Sequence, residues 1–158
     1  HATWATAGVG MTGYLLEDQD LVDRALLGSD KTGTTGFLRQ TELLFSPDGY
    51  YTEGPYYQRY ALMPFMVFAD AIAQNDPDRR IFAYRDGILL KALRTTIQLT
   101  YGGYFFPFND AIRDKSLNTD ERSGRGRGAT VRLRLDAALR RTRRPAGRGG
   151  HLASWRRA

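Results

Sequence analysis

The 158-residue sequence contains no cysteine, so it can form neither a disulfide framework nor a thiolate metal site. It has two histidines, and no His, Asp and Glu residues recur at the spacing of a metal site. No Gly-rich phosphate loop follows a predicted strand, and no apolar run reaches the length of a membrane-spanning helix. We therefore predict no metal, no cofactor and no membrane partner. A sequence without cysteine is compatible with both oxidising and reducing compartments, so it does not indicate where the protein is located.

Acidic side chains are nearly missing from the last part of the sequence. Residues 122–158 carry 12 Arg and one acidic residue, Asp136, whereas residues 1–121 carry 11 Lys and Arg against 16 Asp and Glu. The formal net charge of +6 thus combines an acidic body of −5 with a basic tail of +11. We predict two units, a folded domain over residues 1–121 and an Arg/Gly-rich tail over residues 122–158.

Three interpretations of this tail are open. Arginine clusters bind phosphates, so the tail could be a nucleic-acid-binding arm, but it lacks base-stacking aromatic residues apart from Trp155. It could also be a solvated, disordered extension. The third interpretation, which we favour, is out-of-frame translation of a GC-rich gene, because the composition changes abruptly to Arg, Gly and Ala.

Apolar residues recur with the helical period through most of the body, and turn residues separate the segments. Helices are predicted over residues 1–16, from an N-cap at Asp20, over 37–45, from Pro55 to about Gln74, from Arg79 to about Leu99, and over 111–119. Pro64 predicts a kink or an early break in the fourth helix. Three glycines in the first helix, Gly8, Gly10 and Gly13, indicate close contact with a neighbouring helix.

This pattern of helices joined by short loops, with no strand alternation beyond a few residues, predicts an all-α fold. Antiparallel helix pairs of this kind build either a bundle or part of an (α/α) toroid. The loops at one end of such an array meet and form a cleft, which is where we expect a functional site.

Five tyrosines lie within residues 48–61, Asp-Gly-Tyr-Tyr-Thr-Glu-Gly-Pro-Tyr-Tyr-Gln-Arg-Tyr-Ala. Each buried hydroxyl needs a partner, so such a density is more typical of a sugar-binding or proton-transfer surface than of a core. Pro55 is suited to a first helical position. The helix that follows is predicted to place Tyr57, Tyr60 and Ala61 on one face and to direct Gln58 and Arg59 elsewhere.

Arg59, Asn109 and Asp110 have two interpretations each. Arg59 either pairs with Glu53 as a structural ion pair or holds a substrate carboxylate in a forked contact. Asn109 and Asp110 follow the aromatic run Phe105-Phe106-Pro107-Phe108. They either cap a following helix, the commoner use, or contact a substrate from a loop.

Three segments together resemble the heparinase II/III family of polysaccharide lyases: His1-Ala2-Thr3-Trp4, the tyrosine-rich stretch over residues 48–61, and Phe106-Pro107-Phe108-Asn109-Asp110. The resemblance covers about residues 1–121. It implies an (α/α) toroid that complete members follow with an antiparallel β-sandwich. The chain is then expected to be a fragment of the toroid.

The resemblance also implies β-elimination on a uronic-acid-containing polysaccharide, either heparin/heparan-like or alginate-like, by a periplasmic or secreted enzyme. It assigns catalytic roles to His1 and Tyr57, with Tyr56 as the competing tyrosine. The predicted substrate-binding residues are Glu53, Tyr56, Arg59, Asn109 and Asp110. The family's asparagine before the histidine is absent, so the 158-residue chain alone is expected to be inactive.

Two other classes of function are compatible with the sequence. A non-catalytic carbohydrate-binding helical domain would use the same aromatic cleft without depending on the hydroxyl of Tyr57. A nucleic-acid-binding protein would act through residues 122–158 and bind DNA in a salt-sensitive way. The oligomeric state is open.

Overall fold

The computed structural model describes residues 1–111 and 115–116. The helices of this part are α1 (Ala2–Leu16), α2 (Gln19–Leu27), α3 (Gly36–Leu44), α4 (Pro55–Asn75) and α5 (Tyr84–Gln98). One antiparallel hairpin follows, with strands β1 (Thr100–Tyr101) and β2 (Tyr104–Phe105). The predicted all-α fold is confirmed.

Helices α1 and α4 run in the same direction. Val22, early in α2, packs against Gly13, late in α1, so α1 and α2 are antiparallel. The Arg79 guanidinium, just beyond α4, lies 3.9 Å from the carboxylate of Asp23 in the same part of α2. The ends of α1 and α4 are therefore neighbours. Gly10 contacts Phe68 earlier in both helices, so the two helices run the same way and begin towards the opposite end of the layer.

Helix α5 returns antiparallel to α4. The hairpin after α5 reaches the first turn of α4, where the rings of Phe105 and Tyr56 are 6.3 Å apart between centroids. The beginning of α4 and the segment after α5 thus lie at one end of the molecule.

Aromatic rings occupy the centre of the core. The ring of Phe37 lies 4.9 Å from that of Phe68 and 5.4 Å from that of Phe65, and Phe65 is 5.1 Å from Phe45. All four side chains are buried. They join α3, α4 and the residue after α3 into one core.

All three glycines of α1 were predicted to allow close packing, and the structure confirms this for two of them. A Cβ on Gly10 would fall 2.0 Å from Phe68 Cζ, and one on Gly13 would fall 2.9 Å from Val22 Cγ2. Gly8 has nothing within 4 Å of that position. Gly10 and Gly13 therefore admit the neighbouring side chains, and Gly8 has no such role.

The N-cap of α2 is Asp18 rather than the predicted Asp20. Its carboxylate accepts a hydrogen bond of 3.2 Å from the backbone N–H of Leu21. Asp20 instead forms ion pairs with Arg24 and Lys31. The prediction was wrong because either aspartate suits an N-cap by residue type. Asp20 is taken up by Arg24, one turn later, and by Lys31, eleven residues later.

Of the kink or early break predicted at Pro64, the early break does not occur, since α4 runs from Pro55 to Asn75 through Pro64. Pro64 is buried, together with Phe65 and Phe68 on the turn that follows. Proline in a helix interior removes one backbone hydrogen bond and costs about 3 kcal/mol. The burial of the rings beside it offsets that cost.

Helix α5 begins five residues later than predicted, at Tyr84. Two short 3-10 turns, Pro77–Arg79 and Ile81–Ala83, precede it, and Arg85, Asp86 and Gly87 have left-handed backbone angles. The Arg85 guanidinium donates to three carbonyls at the end of α3, those of Thr41, Glu42 and Phe45 (2.9, 3.2 and 3.3 Å). This contact satisfies terminal carbonyls of α3, and the sequence around Arg85 does not predict it.

The Gly102-Gly103 pair forms a hairpin turn, where the sequence predicted only the close of a helix. Both glycines have positive φ, 57° and 84°, as the tight turn of a two-residue hairpin requires. The predicted helix over 111–119 is wrong at the residues described there, because Ala111 and Lys115 are not helical and Ser116 forms an antiparallel β-bridge with Tyr104. The tail over 122–158 lies outside the described residues and stays a prediction. No helix in the described part is both long and apolar enough to cross a membrane.

Candidate functional site

Two segments meet at the end of the helix layer where α4 begins, the first turn of α4 and the loop after β2. Gly54, immediately before α4, has φ 94°, and a Cβ there would lie 2.5 Å from the carbonyl oxygen of Phe108. The Gly54-Pro55 pair thus brings the loop after β2 against the tyrosine-rich stretch, and a side chain at position 54 would prevent this approach.

Gln58 organises the inner side of this region. Its side chain is 0% exposed, and its amide nitrogen donates to the carbonyls of Gly49 (2.7 Å) and Ala92 (2.8 Å). Its amide oxygen accepts from the backbone N–H of Tyr51 at 3.2 Å. One buried amide therefore joins α4, α5 and the loop before α4, and both its nitrogen and its oxygen have hydrogen-bond partners.

Gln58 points away from the face of Tyr57, Tyr60 and Ala61, as predicted, and the face that it occupies is the buried one. The buried residues of α4 include Gln58, Leu62, Phe65, Ala69 and Ile72, which recur every three or four positions. Extending this apolar stripe one turn back from Leu62 reaches Gln58. The burial of Gln58 could therefore be predicted from the apolar period of α4.

Asn109 holds the outer side of the same loop. Its amide nitrogen donates to the hydroxyl of Tyr50 at 2.8 Å and to the carbonyl of Thr52 at 3.0 Å. Its backbone has φ 54°, a left-handed conformation that Asn tolerates better than most residues. Neither a helix cap nor a substrate contact describes these bonds, which fasten one loop to another.

Tyr56 and Tyr57 lie beside each other at the start of α4. Their rings are 5.0 Å apart in an edge-to-face arrangement, and both side chains are half-buried. The Arg59 guanidinium sits 4.7 Å from the centre of the Tyr56 ring, in a cation–π contact. Of the two roles predicted for Arg59, ion pairing with Glu53 or carboxylate binding, neither is decided by this contact.

Tyr51 differs from these two tyrosines. It is 7% exposed, and burial raises the pKa of its phenol above the usual value, with a further rise from the charge of Glu53 and a hydrogen bond to it. The raised pKa makes the phenolate of Tyr51 harder to form, so Tyr51 is a poor candidate for the base.

His1 and Asp110 are both exposed. His1 precedes α1, and its carbonyl accepts backbone hydrogen bonds from Trp4 and Ala5 (3.0 and 3.3 Å). Because α1 and α4 are parallel, His1 lies at the same end of the layer as Tyr57. The roles assigned to these residues stay predictions. Across residues 1–111 and 115–116, no group of three or more His, Asp or Glu side chains could hold a metal ion.

Comparison with known proteins decides the family. The family model described as alginate lyase matches residues 1–103 of this chain. The chain belongs to the alginate lyase family. The comparison supports the predicted kinship with polysaccharide lyases, but it does not single out the heparinase II/III family that the sequence motifs resemble.

Two curated relatives agree with this family assignment. The chain is 64% identical over 121 residues to a protein named exo-oligoalginate lyase from Saccharophagus degradans. The aligned residues make up 77% of this chain and 16% of that relative. The chain shows the same identity and the same coverage of both chains with a protein named alginate lyase from Stenotrophomonas maltophilia. This alginate lyase family chain therefore spans about a sixth of the length of the curated relatives it matches.

Proposed function

We propose that this chain is part of a polysaccharide lyase that cleaves an alginate-like uronate polymer or oligomer by β-elimination. The observation that carries the proposal is the 64% identity, over 121 residues, with two relatives that are both named as alginate lyases. Their names favour an alginate-like substrate over a heparin-like one. The name of the Saccharophagus relative further suggests oligomers cleaved from an end.

The chemistry requires three tasks. The proton at C5 of a uronate is weakly acidic, so the enzyme must stabilise the enolate-like intermediate by addressing the carboxylate. A base removes that proton, and an acid protonates the departing glycosidic oxygen. We propose that His1 and Tyr57 share these proton and carboxylate roles. Their position at one end of the parallel helices α1 and α4 supports the pairing, and Tyr56, beside Tyr57, is the alternative tyrosine.

Substrate binding is proposed for side chains around this pair. Arg59 supplies a positive charge beside Tyr56, which suits a polymer with one carboxylate on each sugar. Glu53, Tyr56 and Asp110 offer groups that can bond sugar hydroxyls. Asn109 differs, because its amide nitrogen is already engaged with the neighbouring loop.

A chimera tests the proposal at the length at which the relatives exist. The 121-residue aligned segment of this chain replaces its counterpart in the Saccharophagus relative, and release of unsaturated uronate from alginate oligomers is followed by absorbance. Tyr57→Phe is expected to lower kcat about 10²- to 10⁴-fold, the range of a lost general acid or base. Tyr60→Phe is the matched control, because Tyr60 lies one turn away and is 51% exposed.

The outcomes separate the alternatives. If Tyr56→Phe abolishes turnover and Tyr57→Phe does not, the catalytic role belongs to Tyr56. If the chimera binds oligomers and neither substitution changes its function, the non-catalytic carbohydrate-binding domain is favoured. A chimera that leaves alginate intact, while the parent relative degrades it, contradicts the proposed function.

A periplasmic or secreted location belongs to the same proposal. A polymeric polyanion does not cross a membrane unaided, because burying its charges in lipid is costly, so an enzyme that acts on the polymer itself is expected outside the cytoplasm. Fractionation of the producing cells with an antibody to this segment tests the location, and recovery in the cytoplasmic fraction would contradict it.

A further inference from the structure

The loop that leads into α4 is held from two sides. We call residues 49–54 the site loop. Gln58 bonds it from the buried side, through the carbonyl of Gly49 and the N–H of Tyr51. Asn109 bonds it from the outer side, through Tyr50 and Thr52. Two side-chain amides, one in α4 and one far along the chain, therefore fix the same six residues.

The donors of Asn109 are fully used by these contacts. A primary amide nitrogen carries two hydrogens, and Asn109 directs one to the Tyr50 hydroxyl and the other to the Thr52 carbonyl. A substrate carboxylate could gain a hydrogen bond from this nitrogen only by breaking one of them. The approach of the Phe108 carbonyl to Gly54 adds a third contact between the same two loops.

The site loop continues directly into the proposed catalytic turn. The carbonyl of Gly54 accepts the N–H of Gln58 at 3.0 Å, so the end of the loop is also the first hydrogen-bonded turn of α4. Tyr56 and Tyr57 lie within that turn. A shift of the loop therefore shifts the turn, and misplacement of a reacting group by about 1 Å costs about 10²-fold in rate.

We propose that Asn109 is a positioning residue that acts through Tyr50, and not a substrate ligand. Its amide fastens the site loop and thereby sets where Tyr56 and Tyr57 lie. The structural half of this inference stands on the contacts alone, and its catalytic half rests on the proposed function.

The structural half is tested on the 158-residue chain by a double-mutant cycle in denaturant unfolding. Asn109→Gly removes the side chain but keeps the left-handed backbone, and Tyr50→Phe removes only the hydroxyl. Tyr50→Phe removes one hydrogen bond and is expected to raise the unfolding equilibrium constant about fivefold, whereas Asn109→Gly removes two and is expected to raise it about 25-fold. The double variant should match Asn109→Gly alone within about twofold. Fully additive effects would overturn the inference.

The catalytic half is tested in the chimera described above. Asn109→Gly and Tyr50→Phe are each expected to lower kcat about tenfold and to change KM less than about twofold. Tyr101→Phe, at a tyrosine that is 81% exposed, is the control and should leave both constants unchanged. A raised KM for Asn109→Gly, with Tyr50→Phe unaffected, would show that Asn109 binds substrate.

Failure of the proposed function gives a different result. A chimera with the unaltered segment that does not cleave alginate counts against the lyase assignment, while the coupling in unfolding still stands. Loss of that coupling in an active chimera counts against Asn109 alone.

Discussion

At the scale of single residues, the most consequential side chain is an amide inside the helix layer. Gln58 satisfies two carbonyls and one backbone N–H that belong to separate segments. Removing a buried polar partner costs more than the bond contributes, because each abandoned group keeps its desolvation penalty. Gln58 thus links the stability of the helix layer to the shape of the candidate site.

Gln58→Met is expected to lower the free energy of unfolding by about 2–4 kcal/mol. Methionine has nearly the same shape but leaves the carbonyls of Gly49 and Ala92 and the N–H of Tyr51 without their partner. Denaturant unfolding followed by circular dichroism measures the change. Gln98→Met, at an exposed position of α5, is the control and should shift stability by no more than about 0.5 kcal/mol. Equal effects of the two variants would contradict this role for Gln58.

Tyr84 gives a pH dependence at the junction of α3 and α5. Burial, followed by a hydrogen bond of 2.7 Å to the Glu42 carboxylate, raises the pKa of Tyr84 from 10.0 to about 12. The folded state then holds the phenolic proton more tightly than the unfolded chain does. This contribution to stability is fully present below pH 10.0 and is lost as the pH rises towards about 12.

Tyr84→Phe is therefore expected to flatten the fall in stability between about pH 10 and pH 12. The measurement is urea unfolding at a series of alkaline pH values for both proteins. Tyr60→Phe removes a half-exposed phenol and is the matched control. If Tyr84→Phe keeps the same alkaline slope as the unaltered chain, the pKa of Tyr84 is not the cause of that slope.

At the scale of elements, α1 shows two glycines in one helix with opposite consequences. Gly8→Ala is expected to stabilise the chain by about 0.5–1 kcal/mol, because alanine favours the helix and its methyl meets open space. Gly10→Ala gains the same propensity but drives a methyl into the ring of Phe68, which is fixed against Phe37. We expect a net loss of about 1–3 kcal/mol.

Thermal unfolding of the two variants in parallel checks this pair, since each serves as the control for the other. Stabilisation by both substitutions would mean that α1 and α4 do not pack through Gly10.

Helix interiors could be predicted from the sequence, and helix beginnings could not always be. The apolar period of α1, α3 and α4 predicted their extents to within two residues. The late start of α5 depends on Arg85, whose guanidinium caps a helix about 40 positions earlier in the chain. Such a contact leaves no periodic trace, so only the fold reveals it.

The candidate site shows the same division. The Gly54-Pro55 pair predicted where α4 begins, and Pro55 is its first residue. The partners of Asn109 could not be predicted, because Tyr50 lies 59 positions away and meets it only after the hairpin closes. Residue types indicated where chemistry could occur, and tertiary contacts decided which side chains support it.

At the scale of the whole molecule, charge sets a problem for a chain that is proposed to bind a polyanion. Residues 1–121 carry a net charge of −5, so the body as a whole repels alginate and local cations such as Arg59 must attract it. Residues 122–158 carry 12 Arg and one Asp and attract any polyanion, whatever the origin of that segment. Binding measured on the 158-residue chain therefore combines two unlike contributions.

Salt separates them. We expect the 158-residue chain to bind polymeric alginate and duplex DNA alike at low salt, with an association constant that falls about 10³-fold or more between about 50 and 200 mM salt, as counterion release predicts for six or more contacts. Deleting residues 122–158 should abolish this binding to both polymers. Fluorescence anisotropy with labelled polymers measures this salt-sensitive binding by the tail.

Binding at the candidate site is expected to behave differently. It should survive the deletion of residues 122–158, prefer uronate oligomers to DNA and weaken on Arg59→Gln. DNA binding that survives the deletion would place the polyanion-binding surface on the acidic body, against the charge argument.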